Sequence, residues 1–185
     1  MVLTETSATA LGAAAPAFSL RGVDGKTWTL DAARGKNGLV VMFICNHCPY
    51  VKAVREKMIR DARDLAALDV GVIAINSNDP RDYPEDSFEN MQRVAREFGY
   101  PFPYVFDDTQ VVAKSYDAVC TPEFFGYDKD LKLRYHGRLD ASGRSPDPNA
   151  RRELFDAMTQ IARSGLGPAE QHPSIGCSIK WAKRG

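Results

Sequence analysis

Two of the four cysteines, Cys45 and Cys48, stand three apart in the stretch FICNHCPYV, with Asn46 and His47 between them and Pro49 directly after. This spacing lets one sulfur reach the other. One thiolate can attack a substrate disulfide, and the second thiol can resolve the mixed disulfide that results. The run LVVMFIC before the pair reads as a buried strand. After it, Val51, Val54, Met58, Ala62, Leu65 and Leu68 recur at the three- and four-residue steps of an amphipathic helix. The pair therefore falls at a helix start, where unpaired N–H groups and about half a positive charge favour a thiolate. Cys45 is expected as the nucleophile and Cys48 as the resolving thiol. His47 is expected to give the Cys45 thiolate a hydrogen bond or a positive charge, the alternative being an exposed loop residue. Pro49 suits a first helical turn, where a missing N–H does least harm.

The pair has a rival use as half of a metal site. Zinc takes four ligands, usually from two such pairs, yet the chain has no second CxxC and no His-x3–5-His. Cys120, Cys177 and a histidine would have to converge on it from scattered positions. No metal and no organic cofactor is expected, because two electrons can pass through sulfur alone. Two inert buried thiols are the bland alternative.

The rest of the chain narrows the setting. Its 185 residues suit one domain. Lysine plus arginine balances aspartate plus glutamate at 24 each, so no net field draws nucleic acid or an anionic membrane. LVVMFIC is far shorter than the ~20 apolar residues of a membrane helix. Nothing basic precedes Arg21, so neither a secretory signal nor a transit peptide is read, and the cytoplasm is the expected location. In that reducing compartment a close cysteine pair is catalytic or metal-binding more often than structural.

Residues 1–15 read as a loose, alanine-rich lead-in, 16–166 as one α/β domain and 167–185 as an irregular tail packed on it. Short strands at Phe18–Leu20 and Thr27–Leu30 flank Asp24-Gly25-Lys26, a hairpin signal. GLVVMFI and VGVIAIN, bracketing the first long helix, imply two parallel, doubly covered strands. Further elements are a helix from Phe88 with Asp86 or Ser87 as its cap, YVF, a short helix in TQVVAKSYD, the strands FFGYD and LRYHGRL, and a last helix from Ala150 to Gly165. His136, Arg138 and Asp140 in YHGRLD read as surface polar residues.

The chain order resembles the thioredoxin fold, and more closely the alkyl hydroperoxide reductase/thiol-specific antioxidant branch with its peroxiredoxin-like members. The stretches that carry the likeness are PAFSLRGVDGKTWTL, FICNHCPYVKA, NDPRDYPEDSFENM, FPYVFDDTQVVAKSY, AVCTPEFF and PSIGCSIKW, spanning Pro16 to Trp181. The resemblance implies a mixed central sheet with helices on both faces and an N-terminal β-hairpin extension. It implies that Pro122 is a cis-proline facing the cysteines and that Thr121 and Pro122 frame the substrate. It also makes Cys120 and Cys177 candidates for a redox relay, against Cys120 as a packed core thiol and the tail as mere packing through Ile175, Ile179 and Trp181. Peroxiredoxins carry Pro-x3-Thr/Ser-x2-Cys; aligned on Cys48, this chain has Val41 and Cys45 at the supporting positions.

The expectation is a thiol–disulfide oxidoreductase acting on a protein or small-molecule disulfide and served by an unidentified electron donor. Its alternatives are a thiol-dependent peroxidase using Cys48 and Cys177 on peroxide, and a metal-binding or metal-delivery module. Monomer and homodimer are both compatible with the sequence.

Overall fold

The computed structural model describes residues 3–5 and 10–183. Its main sheet has seven strands in the order β3-β2-β6-β5-β4-β8-β9. These are β2 (Ser19–Gly22), β3 (Thr27–Thr29), β4 (Gly38–Phe43), β5 (Val70–Asn76), β6 (Tyr104–Phe106), β8 (Glu123–Tyr127) and β9 (Leu133–Gly137). The central strand β4 is buried at every residue and runs parallel to β5 and antiparallel to β8. Such an all-apolar strand needs cover on both faces. One face carries a core built with α2 (Pro49–Ala66), α3 (Phe88–Glu97) and α5 (Glu153–Ser164), and the other a core built with α1 (Leu30–Ala33) and α4 (Val111–Ser115). The mixed sheet, helices on both faces and N-terminal hairpin are those expected from the sequence. In that hairpin Asp24 Oδ1 accepts from the Lys26 N–H, and Gly25 takes the positive φ of 82° that the turn requires.

A small second sheet joins β1 (Leu3–Glu5), β10 (Ile175–Ser178) and β7 (Cys120–Thr121) in the order β1-β10-β7. Two expectations change here. The tail is not irregular throughout, because β10 pairs antiparallel with β7, Cys177 opposite Thr121 and Ser178 opposite Cys120. Gly176 reads as a breaker in sequence, yet a Cβ there would lie 2.1 Å from Thr121 O; the glycine marks a close backbone approach. Within the segment read as a loose lead-in, Leu3–Glu5 pairs with the outer edge of β10, and Gly12 and Ala15 donate N–H bonds to Leu133 and Leu131. Residues 1–2 and 6–9 of that segment lie outside the described residues.

Of the residues predicted to form the buried stripe of α2, Val51, Val54, Met58, Ala62 and Leu65 are buried, while Leu68 is half-buried and lies beyond the helix end at Ala66. His136 and Asp140, read as surface residues, are buried too. His136 Nε2 lies 2.8 Å from Glu123 Oε1, and Asp140 Oδ2 accepts from Lys57 Nζ at 2.5 Å. Polar type alone had suggested exposure; a partner on a neighbouring element makes burial affordable for each. Among the described residues no helix is long and apolar enough to cross a membrane.

Leu65 lies on the core side of α2 seventeen residues beyond Cys48, roughly 25 Å along the helix. Leu65→Ala should lower stability by ~2–5 kcal/mol in urea unfolding while leaving the thiol chemistry at the other end of the helix unchanged.

Candidate active site

The peptide between Thr121 and Pro122 is cis. These residues join β7 to β8 beside the start of α2, so the structure brings Cys45, Cys48, Thr121, Pro122 and Cys177 together at one end of the sheet. Helix α2 begins at Pro49, which makes Cys48 its N-cap. Cys45 lies before the helix, in the turn that follows β4. Neither sulfur is open to solvent: Cys45 is 1% and Cys48 0% exposed. Among the described residues no disulfide joins any of the cysteines.

Cys48 is the hub. Its Sγ lies 2.7 Å from Cys177 Sγ and 3.2 Å from Thr121 O, to which its thiol donates when protonated. The hydrogen bond from the Cys45 thiol does most to favour its thiolate. Burial opposes this, while the Cys177 thiol and the backbone N–H groups of Val51 and Cys177 add to it, and together they pull Cys48 down to about 5. Cys45 moves the other way. Burial, its bond to Cys48 and the nearby charge of Asp86 push it well up, against a small opposing effect of Thr121. Its sulfur lies 3.2 Å from Thr121 Oγ1. Burial and the bond to Cys48 push Cys177 up to about 12, with Lys180 and Arg144 pulling weakly against them. The contacts that favour a thiolate thus converge on Cys48, the N-cap of α2, whereas the sequence expectation had named Cys45 as the nucleophile.

The two residues between the cysteines are pinned. Asp86, 0% exposed, accepts from the Asn46 N–H at 2.7 Å and from Asn78 Nδ2 at 2.8 Å, and its Oδ2 lies 2.6 Å from His47 Nδ1. Burial alone would raise the Asp86 carboxyl, but the bonds from His47, Asn78 and Asn46 outweigh it and hold it below the usual range. Asn46 also donates to Glu85 O and accepts from Tyr104 Oη. The short contact of His47 is thus to Asp86, and its ring stacks on Tyr83 at 4.7 Å between centroids. Sequence reading had taken Asp86 as a possible helix cap; Ser87 fills that role, accepting from Asn90 N. No local signal links Asp86 to His47, since the pair forms only when the chain folds.

Cys45 Sγ, a His47 ring nitrogen and an Asp86 carboxylate oxygen lie within 4.8 Å of one another. These three donor types suit a borderline cation such as zinc, although the short His47–Asp86 contact already occupies one nitrogen. Cys120 is buried on the alternate face of β7. Its sulfur lies 3.8 Å from Glu123 Oε2 and 3.9 Å from Pro122 O, and burial and the Glu123 carboxylate push its thiol up. A cleft of about 260 Å³ borders the site, lined by Tyr50, Pro122, Phe124, Leu139, Arg144 and Ile175 among others.

Residues 11–136 match the model of the AhpC/TSA family. Over its full length the chain is 46% identical to an uncharacterized conserved protein from Geobacillus kaustophilus. That crystal structure is covered to 99% and superposes with a TM-score of 0.93. The chain is 28% identical over 131 residues to the thiol-disulfide oxidoreductase ResA of Geobacillus thermodenitrificans, covering 71% of each. The thioredoxin domain of a thiol-disulfide oxidoreductase from Bacteroides vulgatus shares the fold at 17% identity. Its TM-score is 0.63, with 84% of this chain and 99% of that one covered.

Titrating the reduced protein by thiolate ultraviolet absorbance should reveal one thiol ionising near pH 5, instead of the ~8.5 of an unperturbed cysteine. A depressed pKa leaves the thiolate present above that pH and lost below it. Cys48→Ser should abolish the step and Cys45→Ala should move it upward. A first ionisation above pH 8 in the wild type would contradict the assignment.

Proposed function

The chain belongs to the AhpC/TSA family within the thioredoxin-like superfamily, and on that footing we propose that it is a thiol–disulfide oxidoreductase with Cys48 as its attacking sulfur. The observation that carries this reading is the Cys48 sulfur at the N-terminus of α2, 3.2 Å from Thr121 O beside the cis Thr121–Pro122 peptide, with Cys45 in the turn just before it; its lowered pKa, about 5, agrees with that placement. The curated relative named a thiol-disulfide oxidoreductase supports the reaction class.

In the proposed reaction the Cys48 thiolate attacks one sulfur of a substrate disulfide. A Cys48–substrate bond forms and the first substrate thiolate leaves. Cys45 then attacks Cys48 Sγ. The Cys45–Cys48 bond forms, the Cys48–substrate bond breaks, and the Cys45 proton goes with the second substrate thiol. The substrate gains two electrons and the pair loses them; an external dithiol donor restores it. In this scheme Asp86 has a positioning role. Its charge keeps the proton on Cys45 until resolution, so Cys45 serves as donor to the thiolate first and as nucleophile second. His47 and Asn46 hold the loop, and Thr121 and Pro122 form the wall against which the sulfurs lie.

A second reading, peroxide reduction at Cys48, is favoured by the same acidic thiolate with another thiol, Cys177, at 2.7 Å. There the Cys48 sulfur takes an oxygen from the peroxide, releasing the alcohol or water, and a neighbouring thiol condenses with the sulfenic acid to give a disulfide and water.

Reduced protein mixed with a model disulfide and, separately, with hydrogen peroxide distinguishes the two. The oxidoreductase reading predicts faster oxidation by the disulfide. It also predicts a trapped Cys48–substrate adduct in a Cys45→Ser, Cys177→Ser variant and no reaction in Cys48→Ser. Oxidation by peroxide at a rate at least about tenfold above that of the disulfide would favour the peroxidase.

A further inference from the structure

The cleft of about 260 Å³ beside the sulfurs carries one unbalanced charge. Pro122 and Ile175 link it to the thiol site. Pro122 follows Thr121, whose carbonyl lies 3.2 Å from Cys48 Sγ, and Ile175 precedes Cys177 by two residues on β10. Tyr50, Val54, Phe124 and Leu139 supply an apolar lining. Of the ionic residues at the cleft, Arg138 is paired with Glu153 at 2.7 Å and Asp140 with Lys57 at 2.5 Å. No carboxylate among the described residues pairs with Arg144, whose guanidinium stands over the Tyr50 ring, 5.6 Å from its centroid.

The loop that carries Arg144 is firmly held. Lys57 Nζ, on α2, donates to Asp140 Oδ2, to Ser142 Oγ at 2.9 Å and to Asp147 O. Within the loop the Ser142 N–H donates to Asp140 Oδ1 and the Asp147 N–H to Ser142 Oγ. Arg144 is therefore flanked by two fixed points, and its positive charge acts on Cys177, whose sulfur lies 2.7 Å from Cys48 Sγ.

We infer that this cleft is the substrate subsite of the exchange reaction and that Arg144 selects a small disulfide bearing a carboxylate a few bonds from its sulfur. The inference rests on the reading of Cys48 as the attacking sulfur. Cys48 is 0% exposed, so a collision from solvent does not suffice, and a substrate has to be held beside it until the sulfurs come into line. Binding at a group remote from the reacting atoms does this, because it turns an encounter into a positioned step. A guanidinium suits a carboxylate through two parallel N–H bonds, while the substrate's hydrocarbon displaces water from the apolar lining. The cleft lies just below the roughly 300–1,000 Å³ of most small-ligand pockets, which favours a small molecule over a length of protein chain. The chemical step is the exchange described above. The substrate disulfide gains two electrons and leaves as two thiols, the protein pair loses them, and the carboxylate keeps its charge throughout.

The test measures second-order rate constants for oxidation of the reduced full-length protein by three small symmetrical disulfides: anionic 3,3′-dithiodipropionate, neutral 2-hydroxyethyl disulfide and cationic cystamine. The readout is the ratio of the anionic to the neutral rate constant, compared between wild type and Arg144→Gln. The probes' own reactivities cancel in that comparison, as does any effect of the guanidinium on the Cys48 thiolate. The ratio should fall about three- to fivefold, the worth of a partly exposed ion pair. Arg144→Lys should retain more of it than Arg144→Gln, and Arg144→Glu should shift the preference toward cystamine. An unchanged ratio in Arg144→Gln would overturn the inference and leave the exchange reading standing. An uncharged linear peptide disulfide that outpaces the dicarboxylate in the wild type would overturn it in favour of a protein segment. Oxidation by none of the probes, with Cys48 recovered as a thiol, would overturn the exchange reading itself and the inference with it.

Discussion

In the proposed reaction, a negative charge on a sulfur that no solvent reaches is the constraint on which the site depends. A buried ion is costly unless hydrogen-bond donors replace the water it has lost. Those available to Cys48 come from three separate parts of the chain: the Val51 N–H in the first turn of α2, the Cys45 thiol, and the Cys177 thiol and N–H on the tail strand. No local stretch can supply them all. The helix start, the loop after β4 and the tail must all be in place before the thiolate is tolerable, which couples the chemistry of one sulfur to the completed fold.

Asp86 sets up the second half of this arrangement. It is a buried carboxylate satisfied by Asn46, His47 and Asn78, so it ties the Cys45–Cys48 loop to the turn at Pro84–Asp86. Its charge near Cys45 raises that thiol and leaves the proton there. Cys45 can then donate to Cys48. Two negative groups on either side of Cys45 thus hold one proton between them, and the order of events in the proposed exchange follows from where that proton sits. His47 serves this frame through Asp86 and Tyr83.

Much of this was legible in the sequence. Period and apolar content gave β4, α2 and β5, because a central doubly covered strand and a one-faced helix leave distinct patterns. The CxxC spacing pointed to the candidate site, and the likeness to the AhpC/TSA branch pointed to Thr121, Pro122 and Cys177, which the fold brings beside it. Three features were hidden for physical reasons. The proposed role of Cys48 turns on a helix boundary, and a shift of one or two residues there decides which cysteine caps the helix. The Asp86–His47 contact is between residues 39 apart in sequence, so spacing carries no trace of it. The tail strand was masked by Gly176 and Pro173, which look like breakers and yet allow the backbone to lie close against Thr121.

The most direct measurement of the central claim, that Cys48 is the sulfur through which all exchange passes, is a redox titration of the wild-type protein in glutathione buffers with every disulfide mapped at each potential. The account predicts that each intrachain disulfide found contains Cys48, paired with Cys45 or Cys177. A disulfide joining Cys45 to Cys177, or one through Cys120 while Cys48 stays a thiol, would contradict it.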